Sequence, residues 1–239
     1  MEFHILPTRT AGAAENMAAD FLLLQRYPSP GDIRWRHYEW RAPAFTFGFG
    51  QKLDWVREQL PTGGPWDLCR RPTGGGMVDH CDDWTYALVI PREHDLWKTR
   101  ATESYRIVHD CLARALQEQG VRAVVKPPER AESALPGPAP VPGVCFQRAE
   151  VYDVIRESDG GKIAGAAQKR NKHGLLFQGS VWKPAAGTVD WNAFGIRFAA
   201  ELAVAAGVQP RAVPWPDFAE GELDGLAEQY ASPEWLGYR

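Results

Sequence analysis

The chain has 239 residues, with 27 Lys and Arg against 30 Asp and Glu, a formal charge of -3 and a pI near 6.1. Hydrophobic residues make up 44% and charged residues 24%, ordinary globular usage, and the slightly acidic balance argues against a broad nucleic-acid-binding surface. No run approaches the ~18 apolar residues of a membrane span and no basic-then-apolar leader opens the chain, so a cytoplasmic protein without membrane insertion is expected. Cys69, Cys81, Cys111 and Cys145 form no CxxC pair and lack the density of a disulfide-stapled domain, which predicts free thiols in a reducing compartment.

In chain order, residues 11–26 place Met17, Phe21, Leu22, Leu23 and Leu24 as one apolar face of a helix. Ile33–Trp40 reads as an aromatic-rich strand, and a turn at Pro43 precedes a second strand through Phe45–Phe49. A short strand over Asp67–Arg71 runs into Gly74, Gly75 and Gly76, after which Trp84–Ile90 resumes as an apolar strand. Glu103–Gln119 carries Ile107, Val108, Cys111, Leu112, Ala115 and Leu116 at helical spacing, and Gly120 stands at its stop. Six prolines between Lys126 and Gly143 exclude a regular helix or central strand there and predict a long surface loop. VYDVIR, KIAGAAQKR and LLFQGSVW, separated by glycine-containing turns, read as a three-stranded meander. Helical stretches around Trp191–Ala206 and Phe218–Tyr230 finish the chain, and nothing in it marks an interior linker between two domains.

Three segments could carry chemistry. In Arg70-Arg71-Pro72-Thr73-Gly74-Gly75-Gly76, with His80 beyond, glycines let main-chain N–H groups approach a ligand while arginines meet an anion. A tight turn flanked by solvated arginines explains that composition equally well. Lys162 opens GKIAGAAQKR, whose Ala164, Gly165, Ala166 and Ala167 would let a ligand chain lie against a strand. Taken alone, a strand-end lysine in water is the plainer reading, because lysine is rarely buried. Cys145 follows the proline-rich loop; a lone cysteine is usually structural, yet its placement makes it the best nucleophile candidate of the four.

Together these segments resemble the lipoate-protein ligase and octanoyltransferase family, related to biotin-protein ligases, over nearly the whole chain. Asn16-Met17-Ala18 with Asp20, then Tyr38, Trp40, Pro43 and Gln51, look like its first helix and strand pair. RRPTGGGMVDH resembles its glycine-loop signature, and KIAGAAQKR with Gly179-Ser180 resembles its lysine region. The resemblance implies an α+β fold of mixed and antiparallel sheets flanked by helices, like a biotin/lipoate protein ligase catalytic domain, as one domain over 1–239 without a C-terminal accessory domain. It makes Lys162 the essential site residue and implies substrate contacts from Arg71, Thr73, Gly74, Gly75, Gly76, His80, Gly165, Ala167 and Gln168. Cys145-Phe146 with Tyr152-Asp153-Val154, and Trp84-Thr85-Tyr86, look like octanoyltransferases that use a cysteine thioester.

The implied reaction moves an octanoyl or lipoyl group from acyl carrier protein, or from an acylated carrier domain, to a lysine of a lipoyl-type domain such as glycine cleavage H protein. It needs no cofactor and no metal. Two alternatives stand beside it: a ligase making an acyl-adenylate from ATP and Mg²⁺, and a noncatalytic relative that binds an acyl group or carrier. Asp79 and Cys81 around His80, and Phe177-Gln178 before Gly179, depart from the family pattern.

Overall fold

The computed structural model describes residues 1–128 and 148–238; Cys145 and most of the proline-rich segment lie outside the described residues. Its strands, in chain order, are β1 (Phe3–Ile5), β2 (Arg9–Ala11), β3 (Ile33–Trp40), β4 (Ala44–Phe47), β5 (Asp67–Arg70) and β6 (Val78–Asp79). They continue as β7 (Asp83–Pro91), β8 (Ala123–Val125), β9 (Val154–Arg156), β10 (Lys162–Asn171), β11 (Gly174–Trp182) and β12 (Pro210–Ala212). The helices are α1 (Ala13–Gln25), α2 (Leu53–Gln59), α3 (Asp95–Lys98), α4 (Ala101–Glu118), α5 (Lys183–Ala186), α6 (Trp191–Ala205), α7 (Glu222–Ala231) and α8 (Pro233–Leu236).

Nine strands form a mixed sheet in the order β12-β1-β3-β7-β11-β10-β9-β8, with β2 added beside β3; β5-β4-β6 form a second, smaller sheet. Along the order from β3 to β8 each successive pair is antiparallel, whereas β1 pairs parallel with β3 and β12, and β2 parallel with β3. The expected meander is β9, β10 and β11. A mixed α+β architecture is therefore what the chain adopts.

Alternation sorts the large sheet into two faces. Trp84, Tyr86, Leu88 and Ile90 of β7 pack with Trp35, Phe177 and residues of α4 and α6 such as Leu112, Phe194 and Phe198. Ala87 and Val89 point the other way, into a second cluster with Met17, Leu23 and Leu24 of α1 and Tyr230 of α7. Covered on both faces, β7 is buried along its entire length, which is why DWTYALVIP reads as a nearly continuous apolar run. A fully buried Leu or Phe side chain contributes roughly 1.5–3 kcal/mol, so these two layers supply most of the cohesion.

Local chemistry sets the helix ends. The Gly12 N–H donates to Glu15 Oε2 at 2.8 Å, and the Ala13 N–H to Asp67 Oδ2 of β5 at 2.7 Å, tying the start of α1 to the small sheet. Asp190 accepts from the N–H groups of Asn192 and Ala193 to cap α6. Past the end of α4, Gly120 takes φ +81°, as its place in the sequence predicted. Among the described residues no helix is long and apolar enough to cross a membrane.

Candidate functional site

Between the small sheet and the β3-β7-β11-β10 part of the large one lies a cleft. Its wall is built from Met17, Tyr38, Thr46, Arg71, Gly75, Val78, His80, Thr85, Gly165, Ala166, Ala167 and Gln178 to Ser180. Two contacts bring the sheets this close. A Cβ on Gly48 would sit 1.9 Å from the Gly75 carbonyl oxygen, so the end of β4 and the glycine loop touch backbone to backbone. Gly75, at φ +86°, turns the loop so that its Cα faces the Ala167 methyl of β10.

Arg70 and Arg71 serve this architecture. Arg70 is fully buried and donates to the carbonyls of Phe49, Gln51, Trp235 and Leu236 at 2.6–3.0 Å. Arg71 donates to the Gly74 and Gly76 carbonyls at 2.9 and 2.6 Å and to Thr46 Oγ1 at 2.8 Å. Instead of being solvated, the two guanidiniums pin loops. Arg71 still borders the cleft, presenting it with positive charge.

A hydrogen-bonded chain follows. Thr46 Oγ1 lies 2.7 Å from His80 Nε2, and His80 Nδ1 lies 2.7 Å from Asp83 Oδ2, which also accepts from Thr85 and Ser180 hydroxyls. Burial pushes the Asp83 carboxyl up, but the His80 charge and the hydrogen bonds from His80, Ser180 and Thr85 outweigh it and hold the group below its ordinary value. The His80 ring stacks on Trp40 at 4.1 Å, and Trp40 Nε1 donates to Thr85. Deeper in the cleft, Thr73 donates to Gln178 Oε1, and Gln178 Nε2 donates to Asp20, which is ion-paired with Arg36 at 2.6 Å. The departure at Gln178 thus places a carboxamide where it satisfies a buried carboxylate.

The other side of the cleft belongs to Lys162. Its side chain is 4% exposed and its Nζ lies 2.7 Å from Asp153 Oδ2, itself 1% exposed. This corrects the plainer reading of a strand-end lysine in water. The physical reason is the carboxylate nine residues earlier, which offsets the desolvation of the ammonium. Gly165, a cleft residue, leaves the room: a Cβ there would lie 2.7 Å from Lys162 Nζ.

Of the residues the sequence singled out, the structure brings Arg71, Gly75, His80, Gly165 and Ala167 to the cleft wall, with Lys162 adjoining it through Gly165. Thr73 reaches the cleft through Gln178, while Gly74 and Gly76 serve through carbonyls bound by Arg71. Gln168 is not among the residues lining the cleft: its half-buried side chain turns toward α4, where its amide donates to the Ala101 carbonyl. Cys69 lies buried in β5 and Cys111 in α4, and Cys81 sits exposed after β6. Burial pushes the Cys111 thiol up to about 11; partial burial and the Asp79 carboxylate push Cys81 up to about 12.

Sequence reasoning passed over Thr46, Asp83 and Tyr105, and took Ser180 only as a motif residue without a role. Tyr105 donates to Asp153 Oδ1 at 2.5 Å and accepts the Ala166 N–H at 3.1 Å. The three-residue spacing of His80 and Asp83 was a visible signal; that of Tyr105, from a helix nearly fifty residues before its partner, was not.

Comparison with known proteins gives this geometry its context. Octanoyltransferase LipM of an Exiguobacterium species is 33% identical over 183 residues, covering 75% of this chain and 65% of that protein. Octanoyltransferase LipM of Staphylococcus aureus is 32% identical over 174 residues, covering 70% and 60%. The matched part thus spans somewhat under two thirds of these relatives' length. A bi-partite lipoate protein ligase of Thermoplasma acidophilum, studied with its E2 lipoyl domain, superposes with a TM-score of 0.68 over 100% of this chain and 98% of its own, at 18% identity. LipL1 of P. falciparum, in complex with lipoate, superposes at 0.67 over 99% and 74%, at 12% identity. At those identities the solved structures share the fold. The sequence profile of the lipoyl protein ligase A/B catalytic domain matches residues 12–182, and with that match over most of its length the chain belongs to the lipoyl protein ligase A/B catalytic domain family.

Proposed function

We propose that the protein is an octanoyltransferase of protein lipoylation, moving an octanoyl group from acyl carrier protein to a lysine of a lipoyl-type acceptor domain. The observation that carries the reading is the likeness at 31–33% identity to proteins named octanoyltransferase. It is supported by a cleft floored with small residues, bordered by a buried lysine at one side and a glycine loop at the other.

In this reading the Cys145 sulfur attacks the donor's thioester carbonyl. A C–S bond forms, the bond to the carrier's sulfur breaks, and that thiolate leaves and takes up a proton. The acceptor lysine amine then attacks the acyl-cysteine; an amide forms, the Cys145 thiolate departs, and the amine's extra proton is lost. Lys162 carries protons for these steps, and the main-chain N–H groups of residues 73–76 steady the oxyanion. The thiols of Cys69, Cys81 and Cys111 are all pushed up, Cys69 most of all by burial, which is in keeping with the choice of Cys145 as the nucleophile in this reading. The reaction uses no cofactor. A cytoplasmic setting, with carrier proteins as the two partners, belongs to the same reading.

Intact-protein mass spectrometry after mixing with octanoyl-acyl carrier protein tests it, with Cys145→Ser in parallel. The expected result is a hydroxylamine-labile octanoyl adduct on the wild type and none on the variant. No adduct, together with acceptor modification only when ATP and Mg²⁺ are present, establishes the ligase alternative. Stable binding of the octanoyl carrier without any transfer establishes a noncatalytic relative.

A further inference from the structure

Asp153 entered the sequence comparison as a motif residue without a role, and Tyr105 did not enter it. Around Lys162 they form a closed arrangement. Among the described residues, β10 beyond Ala164 has no partner strand on its β9 side, where β9 pairs with Lys162 and Ala164 across a register shift. Tyr105 of α4 accepts the Ala166 N–H at 3.1 Å through its hydroxyl oxygen, and the same hydroxyl donates to Asp153 Oδ1 at 2.5 Å. Asp153 Oδ2 then accepts the Glu150 N–H and faces Lys162 Nζ, both at 2.7 Å. A backbone amide, a phenol, a carboxylate and an ammonium thus stand in series, each polarising the next.

The frame around them is equally specific. The Asp153 carbonyl accepts the Lys126 N–H at 2.8 Å and the Tyr152 N–H donates to the Lys126 carbonyl at 2.9 Å, so the end of β8 fixes the backbone carrying the carboxylate. Tyr152 sits at φ +69°, a conformation a bulky residue adopts only when its surroundings require it. Its carbonyl meets the His109 ring at 2.8 Å, and His109 packs edge-on against Tyr105.

We propose that Tyr105 and Asp153 are positioning residues that hold the Lys162 ammonium beside Gly165, and that this placement sets the turnover of the site. The proposal rests on the octanoyl-transfer reading for its kinetic arm. Tyr105 acts through Asp153, because its hydroxyl reaches the carboxylate and the β10 backbone.

The test compares Tyr105→Phe, Asp153→Asn and the double variant in the full chain. With octanoyl-acyl carrier protein and a lipoyl-type acceptor, Asp153→Asn lowers kcat about 10²-fold and Tyr105→Phe about tenfold, with KM within about twofold. Because the two act in series, the double variant is no slower than Asp153→Asn alone. A second readout needs no substrate: trace acetylation by acetic anhydride, read by peptide mass spectrometry at Lys162, rises several-fold in Asp153→Asn and less in Tyr105→Phe. Multiplying effects in the double variant, losses confined to KM, or unchanged Lys162 labelling would overturn the proposal. An unsubstituted protein that transfers no octanoyl group, with the labelling differences intact, sinks the functional reading and leaves the positioning role standing. If Asp153→Asn fails to fold, Tyr105→Phe, which removes one oxygen atom, carries both readouts.

Discussion

The two sides of the cleft invert what their compositions suggest. On the glycine-loop side, two adjacent arginines that look like ligands for an anion are committed to main-chain carbonyls, Arg70 to four of them and Arg71 to two and a hydroxyl. On the β10 side, a lysine that looks like a surface residue is buried against a carboxylate. Buried guanidinium, with five donors in a rigid fork, suits the work of joining loops, whereas an ammonium on a flexible stem suits a position from which protons move. The difference teaches that charge in a motif says little until the partner of that charge is known.

If that division is right, substitutions on the lysine side reduce activity first and those on the loop side reduce stability first. Lys162→Gln, whose amide can still donate to Asp153, should lower octanoyl transfer by about 10²–10⁴-fold, the usual range for a positioned proton carrier, with a melting temperature close to the parent's. A loss of stability in proportion to the loss of activity would break the comparison. Arg70→Ala should lower unfolding free energy in urea by about 3–5 kcal/mol, because four part-buried carbonyls lose a donor at once and the fully buried side chain leaves a void. Little change there would mean that the loops hold without their arginine.

Acid should act on the lysine side through His109. Burial holds its imidazole neutral down to about 4, with Lys162 working in the same direction and Asp153 and the Tyr152 carbonyl against it. The unfolded chain binds that proton near the ordinary 6.5. The stability His109 contributes is therefore complete above 6.5 and is lost as pH falls from there to about 4. At about 1.4 kcal/mol per pH unit, the loss is on the order of 3 kcal/mol. Urea titrations at pH 7 and pH 4 should show the wild type losing more stability than His109→Gln by about that amount; parallel curves would remove His109 from the account. The smallest effect is expected of Gln168→Ala, which should change kcat/KM less than about twofold and stability by about 1 kcal/mol, the worth of its single bond to the Ala101 carbonyl.

Much of the frame was legible because it obeys short periods. Ile33–Trp40 is β3 to the residue, the Trp84–Ile90 run is the buried centre of β7, and the meander is β9 to β11. The three-residue strands β1 and β12 were not legible, since Phe3–Ile5 and Pro210–Ala212 carry no periodicity; β1 exists by pairing with β3, and β12 by pairing with β1 across two hundred residues. The same holds within the site. The RRPTGGG and KIAGAAQKR motifs located the cleft walls, whereas Asp83 gathering His80, Thr85 and Ser180, and Tyr105 reaching Asp153, depend on side chains that meet only after the sheets close.

Gly165 carries a consequence for how this site tolerates change. Its missing methyl group is the space in which the lysine and its carboxylate meet, with a Cβ falling 2.7 Å from Lys162 Nζ and 2.9 Å from Asp153 Oδ1. An alanine there would remove no charge, yet it would press the ion pair aside by most of an ångström, a displacement able to cost about 10²-fold in rate. A position with no functional group at all thus matches the sensitivity of the charged residues beside it, and a scan restricted to polar residues would never find it.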